Sequence, residues 1–404
     1  MGSTFSIENR DQLVEAVTWA AAEEQPLEVI GRGSKRALGR PVQAAHSLDL
    51  SKLTGITLYE PEELVLSARA GTSIAEIEAA VDEKNQMLAF EPADLSPLLG
   101  GTAGSGSVGG VLACNLSGPR RIKAGAARDH FLGVESASGR GEIFKSGGRV
   151  VKNVTGYDLC KLLCGSYGTL AVMTDVTLKV LPRPQKTYTV LLLGLDDATA
   201  MKAMSRALGS PHEVSAAAHL PAALSPGSAV SYVAEAGGAV TAIRVEGPGP
   251  SVEYRCAALR RELADLGQTE ELHSQNSLTL WRELRDVQPL WQEDERAVWR
   301  LSVAPSAGPE VVAAIGQGAA YYDWGGGLVW LALSSEGDAG AQRIRDVLGQ
   351  YGGHATLIRA PQKVRAAEAV FQPQAPAMAA LTARVKDGFD PNRVLNPGRM
   401  YAGL

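Results

Sequence analysis

Cysteine, histidine and long apolar runs are all scarce in this chain, and each scarcity closes off a class of function. Cys114, Cys160, Cys164 and Cys256 are the only cysteines in 404 residues and form no C-x-x-C pair. Neither a disulfide framework nor an iron–sulfur cluster is expected, and a reducing compartment is the default reading. His46, His130, His212, His219, His273 and His354 stand apart from one another. Without the clustering that metal ligation needs, each reads as a hydrogen-bonded structural residue, and no metal site is expected. No stretch reaches the roughly 18 consecutive apolar residues of a membrane-spanning helix, and the amino terminus lacks the basic segment and apolar core of a secretory signal. A formal net charge of -5 argues against a nucleic-acid partner. What remains is ordinary globular composition, 45% hydrophobic and 21% charged, in a chain long enough for two domains with separate cores.

Glycine, by contrast, is concentrated. Residues 100–121 read GGTAGSGSVGGVLACNLSGPRR. Glycines there let the backbone turn through positive φ and bring several N–H groups to one anion, with Thr102, Ser105 and Ser107 as hydroxyl donors. Gly104, Gly106 and Gly109 satisfy G-x-G-x-x-G, and Asp129 lies where a ribose-binding acid would fall. That match is rejected. Pro92 and Pro97 break the segment before it, and Gly118-Pro119 ends the segment after it within about two turns, so no buried strand feeds a long helix. A second glycine-rich loop with adjacent cations, Gly31-Arg32-Gly33-Ser34-Lys35-Arg36, follows a short apolar strand at 27–30. Two anion-cradling loops suit a dinucleotide's diphosphate, and the absence of G-x-x-x-x-G-K-[ST] excludes the usual nucleoside triphosphate loop.

Periodicity predicts a helix over 10–22, a strand at 64–69, a helix over 73–84, a strand pair at 131–137 and 141–145, and a strand at 170–181 ended by Pro182 and Pro184. A domain boundary is placed there. Beyond it, helices at 251–266 and 342–348 and strands at 299–304 and 328–333 suggest an antiparallel sheet with helices on one face. The aromatic run Tyr321-Tyr322-Asp323-Trp324 followed by three glycines is read as part of a docking surface, with core as the alternative for two or three of its residues. A proline-bracketed loop, FDPNRVLNPGR at 389–399, follows a helix ending near Lys386 and is expected to dock elsewhere on the protein.

Taken together the motifs resemble the vanillyl-alcohol oxidase type of flavoprotein, with the PCMH-type FAD-binding fold. GRGS at 31–34 resembles that family's first phosphate loop, GSVGGVLACNLSG at 106–118 its second, and GSYGTLAVMT at 165–174 its flavin-contacting turn and strand. Within the family, PRRIKAGAARDHFLGVE, VVKNVTGYDLCKLLCGSYGTL and HATLIRAP look most like the smaller FAD-binding subunits of bacterial glycolate oxidases. Two departures are visible. Tyr167 replaces the acid of the usual GSEGTLG turn and Ala171 its last glycine, so the acid's contacts do not transfer. Neither early loop holds a histidine, Cys114 lies on a different segment from the usual attachment cysteine, and the GHxGDGNxH metal motif of the larger catalytic relatives is missing.

The resemblance implies an α+β chain: an FAD domain of two subdomains at 1–184, an α+β cap at 185–360, and a carboxy-terminal return at 361–404 packing on the FAD domain. It implies noncovalent FAD. Gly31, Gly33, Ser34, Lys35, Gly106, Ser107, Gly109 and Gly110 would hold the diphosphate, with Asn115, Ser117, Gly168, Val172 and Asn396 completing the site. Gly109 is expected to lie so close to the diphosphate that valine there displaces the cofactor from a folded protein. No base is assigned; Arg359 and Tyr157 are candidates for a substrate carboxylate. The implied partners are a larger catalytic flavoprotein subunit, an iron–sulfur subunit and a small 2-hydroxy acid, with the chain cytoplasmic or peripheral at the inner membrane through those subunits. The implied reaction is oxidation of glycolate or another 2-hydroxy acid by hydride transfer to flavin within the complex. A noncatalytic FAD-binding assembly subunit and a stand-alone alcohol or sugar oxidase are the alternatives.

Overall fold

The computed structural model describes residues 2–149, 156–291 and 296–404. The run at 150–155, part of the VVKNVTGYDLC motif, lies outside them. The chain divides into two compact units: Met1–Ser117, Gly125–Arg183 and Ala369–Leu404 form one, and Gly118–Ala124 with Pro184–Glu368 the other. Residues 361–368, read from sequence as the start of the carboxy-terminal return, group with the second unit. So do residues 118–124, which the sequence reading placed in the FAD domain.

In the first unit, Thr4–Ser6, His46–Asp49 and Leu27–Ile30 make a three-stranded parallel sheet in that order. The helix Arg10–Ala22 covers it. Asn9 caps that helix by accepting from the Gln12 N–H at 3.0 Å, and Leu13, Ala16, Val17 and Ala20 turn inward against Leu27 and Leu48. Leu13 and Val17 are fully buried, each contributing about 1.5–3 kcal/mol. A five-stranded antiparallel sheet runs in the order Ile56–Glu60, Val65–Arg69, Ala171–Lys179, Phe131–Ser138, Ile143–Gly147. Its core is built on Leu66, Phe90, Phe131, Val134, Val176 and Leu178.

Leu27–Ile30 is an edge strand, and its open edge is covered by the chain's far end. The Leu27 N–H donates to Val394 O at 2.7 Å, the Asn396 N–H returns to Leu27 O at 3.0 Å, and the Val29 N–H donates to Asn396 Oδ1 at 2.8 Å. The carboxy-terminal segment thus blunts an edge that would otherwise pair with any passing strand. Lys386 anchors it from inside. The residue is 2% exposed, and its ammonium donates to Asp390 Oδ2 and Thr169 O at 2.6 Å and to Leu395 O at 3.0 Å.

The second unit is an eight-stranded antiparallel sheet in the order Gln268–Leu272, Lys186–Leu193, Val240–Gly247, Ala216–Leu220, Ala319–Asp323, Leu328–Ser334, Arg296–Ser302, His354–Arg359. The expectation of helices on one face is corrected: they lie on both. Neighbouring residues of a strand point to opposite faces, and Tyr321 and Tyr322 reach different helices. Tyr322 OH donates to Asp197 Oδ2 on the helix Asp197–Leu208, whereas Tyr321 OH donates to Leu284 O on the helix Ser274–Arg285. Both tyrosines are fully buried, and Asp323 and Trp324 nearly so. The docking-surface reading of this stretch therefore fails, because the second helical layer makes it core.

Candidate cofactor cleft

Both glycine-rich loops of the first unit open onto one cleft of about 710 Å³, counted out to solvent. The first loop leaves the carboxyl end of the edge strand Leu27–Ile30, where parallel sheets commonly present ligand sites. The second loop leads into the short helix Val108–Cys114, whose cap is Ser107: its Oγ accepts from the Gly110 N–H at 3.3 Å. The loops touch. Arg32 Nε donates to Ser105 O at 3.2 Å, and a Cβ added to Gly31 would stand 2.6 Å from Ser107 Oγ. Ala171, Val172 and Met173 from the central strand, with Val29, Leu50 and Ala70, make the apolar wall, and Tyr167, Asn396 and Arg399 complete the lining.

Cations crowd one end. Lys35 lies half-buried with its ammonium 3.1 Å from Ser34 Oγ and no carboxylate within ion-pair distance among the described residues. Burial pushes its pKa below the ordinary lysine value, opposed by Cys114 and Asp94. Glu28 is shared between two guanidinium groups: Arg36 Nε donates to Oε1 at 3.1 Å, and Arg399 Nη1 lies 3.7 Å from the same oxygen. Burial likewise lowers the pKa of Arg399. Arg32, Lys35, Arg36 and Arg399 line the cleft and outnumber Glu28 and Asp94, the carboxylates that act on them, leaving a positive surplus that an anion in the cleft would offset. The Cys114 thiol is pushed up by burial against the pull of Lys35 and Arg399.

Ten of the thirteen residues named from sequence line this cleft: Gly31, Gly33, Ser34, Lys35, Ser107, Gly109, Gly110, Gly168, Val172 and Asn396. Gly106 stands just behind, where a Cβ would come 3.2 Å from Lys35 Nζ. Asn115 and Ser117 do not face it. Asn115 Oδ1 accepts from the Arg128 N–H at 3.2 Å and Ser117 Oγ from the Ala127 N–H at 2.9 Å, so both side chains organise the next turn of chain.

Two further expectations change on contact with the geometry. The Gly109 N–H is not offered to a ligand but donates to Ala70 O at 2.9 Å, and a Cβ there would meet Ala70 O at 2.8 Å. Glycine is required at 109 by helix-to-strand packing. Asn396 spends its side chain as a clasp, accepting from Val29 N–H and donating from Nδ2 to Tyr167 O at 2.9 Å; at Gly168, with φ +70°, a Cβ would lie 2.9 Å from that nitrogen. Tyr157 is 91% exposed and lines no part of the cleft, and Arg359 lies in the second unit, donating to Arg296 O at 3.0 Å. The sequence reading missed Arg399, Tyr167 and Cys114 as lining residues. Each stood in a segment already singled out, Arg399 at the NPGR end of the docking loop, Tyr167 in the GSYGTL turn and Cys114 in the second glycine-rich loop, but nothing local showed that its side chain faces the cleft.

A family model described as "FAD binding domain" matches residues 4–147, which include both loops. The chain is 36% identical over 392 residues to the glycolate oxidase subunit GlcE of Escherichia coli (strain K12), covering 97% of each protein. It belongs to that family. Shorter matches include a D-lactate dehydrogenase of Archaeoglobus fulgidus, 31% identical over 175 residues, 43% of this chain and 37% of that protein. Among solved structures, 4-ethylphenol oxidase from Gulosibacter chungangensis superposes with a TM-score of 0.72 over 99% of this chain and 89% of that one at 13% identity. For p-cresol methylhydroxylase the TM-score is 0.67 over 98% and 88% at 15% identity. These likenesses show the fold, which is the PCMH-type FAD-binding fold. The cleft's residues fit FAD: a cationic, glycine-lined end matches a diphosphate and an apolar wall matches a ring system.

Proposed function

We propose that this chain is the FAD-binding subunit of a complex that oxidises glycolate or a related small 2-hydroxy acid. The observation that carries the proposal is the cationic cleft shared by the two glycine-rich loops, in a chain alike from end to end to a glycolate oxidase subunit. Gly31, Gly33, Ser34, Lys35, Gly106, Ser107 and Gly110 would surround the diphosphate, with the Lys35 ammonium as its counter-charge. Bound FAD supplies an acceptor for hydride from a carbinol carbon. Val172, Met173, Leu50 and the Tyr167 ring exclude water along the wall.

Among the described residues the lining holds no histidine and no carboxylate. That supports noncovalent binding, as does burial of the Cys114 thiol, which raises its pKa and disfavours the thiolate. It also favours a second reading, in which the chain holds FAD but the base that takes the substrate's hydroxyl proton belongs to a partner. A larger flavoprotein and an iron–sulfur subunit are the partners proposed, the four scattered cysteines being unable to build a cluster. No helix among the described residues is long and apolar enough to cross a membrane; placement in the cytoplasm or at the inner membrane through partners is part of the proposal.

The experiment is acid precipitation of the purified chain followed by anaerobic glycolate addition to the flavin-loaded protein. Yellow supernatant and a flavin band that bleaches only when partner subunits are added are expected. Colour retained in the precipitate overturns noncovalent binding, and rapid, complete bleaching by the lone chain overturns the need for partners.

A further inference from the structure

We infer that Arg399 is a positioning residue for the cofactor's diphosphate: reaching in from the carboxy-terminal segment, it fixes the 31–36 loop in the form that presents Lys35, and so couples cofactor binding to docking of that segment. This rests on the reading of the cleft as the FAD site. The Arg399 side chain is 7% exposed. Its Nη2 donates to Lys35 O at 2.8 Å and to Arg36 O at 3.3 Å, while its own carbonyl accepts from the Arg40 N–H at 2.9 Å. One nitrogen of the planar fork, Nη2, thus holds two successive carbonyls of the loop that carries Lys35, while the other, Nη1, faces Glu28. An ammonium on a flexible stem does not reproduce that fork.

The charge balance points the same way. Arg399 and Arg36 divide a single carboxylate, Glu28, and Lys35 donates to the Ser34 hydroxyl with no carboxylate within ion-pair distance among the described residues. A guanidinium held dry with a share of one carboxylate is stabilised when an anion enters the cleft it lines. By linkage, the anion is then held more tightly when the guanidinium is in place. The segment does not depend on Arg399 to stay docked, because Asn396 bridges Val29 and Tyr167 and Lys386 bridges Thr169, Asp390 and Leu395. Removing the guanidinium therefore tests loop positioning more than folding.

The test uses the full chain stripped of flavin, with Arg399→Met and Arg399→Lys, and three probes: FAD, ADP and riboflavin. ADP carries the diphosphate without flavin, and riboflavin carries the flavin without phosphate. Loss of charge-assisted hydrogen bonds predicts FAD and ADP affinity about 10- to 100-fold weaker in Arg399→Met and about 10-fold weaker in Arg399→Lys. Riboflavin affinity should change by less than about 3-fold, since only phosphate binding is at issue. In the wild type, ADP should slow amide exchange over 396–404, and in Arg399→Met it should not. Equal losses for riboflavin and ADP, or unchanged ADP affinity, overturn the inference while leaving the cleft assignment standing. Failure of the wild type to bind either FAD or ADP overturns the cleft assignment itself, and this inference with it. Should Arg399→Met not fold, Arg399→Lys alone decides.

Discussion

Gly109→Ala is expected to destabilise the flavin-free protein, although alanine is the better helix former. Gly109 lies in the helix Val108–Cys114, where exchanging glycine for alanine favours the helix by about 1 kcal/mol. Against that, the new Cβ would stand 2.8 Å from Ala70 O and 2.9 Å from Ala70 Cβ, separations at which something must shift. Ala70 belongs to the packed segment after the strand Val65–Arg69 and cannot give way like a flexible side chain. Overpacking of this kind costs about 1–3 kcal/mol, and straining the 2.9 Å bond from the Gly109 N–H to Ala70 O costs roughly another 1. The net loss is about 1–3 kcal/mol for alanine, and larger for valine with its two further methyl groups. Urea denaturation of the flavin-free chain measures it. Gly106→Ala is the contrast: there the Cβ would stand 3.2 Å from Lys35 Nζ, the far end of a flexible side chain, so FAD affinity should fall with little change in stability. Gly109→Ala with wild-type stability and lost FAD binding would refute the packing argument and restore 109 to direct ligand contact.

In the second unit, Glu246 is buried, which alone would raise its pKa, yet Arg244 and Arg120 hold it well below the carboxylate range; Arg120 donates from Nε and Nη2 at 3.0 and 2.8 Å. A depressed carboxylate adds stability that is complete above its unfolded pKa near 4.5 and drains away as pH falls toward the folded value. Glu246→Gln should therefore lose about 3–5 kcal/mol at neutral pH, and the gap to wild type should be flat there and narrow below about pH 4.5; a gap that widens in acid would reverse the sign of the argument. Burial also pushes Cys160 up to about 11 and Cys164 and Cys256 up to about 12, with Cys114 raised as well. A chromogenic disulfide reagent near pH 8 should find almost no fast-reacting thiol in the native protein and all four after denaturation. One thiol reacting within seconds in the folded chain would contradict this.

Chemistry confined to a few consecutive residues was legible without a structure. The glycine-rich loops and the prolines that rule out a Rossmann turn act locally, and local sterics decide their form; Ser107, expected as a donor to an anion, instead caps a short helix. Part of the second unit was legible as well: the strand Leu328–Ser334, expected at 328–333, is a nearly continuous apolar run, the mark of a sheet buried on both faces, although periodicity alone suggests helices on one face only. Tyr321 to Trp324 could not be sorted by type, because an aromatic run looks the same in a core as on a docking surface until a second layer is known to cover it.

The cleft's details depended on the chain's path. That Gly109 faces Ala70 rather than a ligand follows from how the helix meets the strand, and nothing in G-x-G-x-x-G distinguishes a close approach to backbone from a close approach to phosphate. Arg399 meets the Lys35 carbonyl across 364 residues, and Asn396 meets Val29 across 367. Composition and periodicity set what each segment forms on its own. Which side chain from the far end of the chain closes the site is decided only when the edge of the Leu27–Ile30 strand, needing partners for its N–H and C=O groups, takes the carboxy-terminal segment as its neighbour.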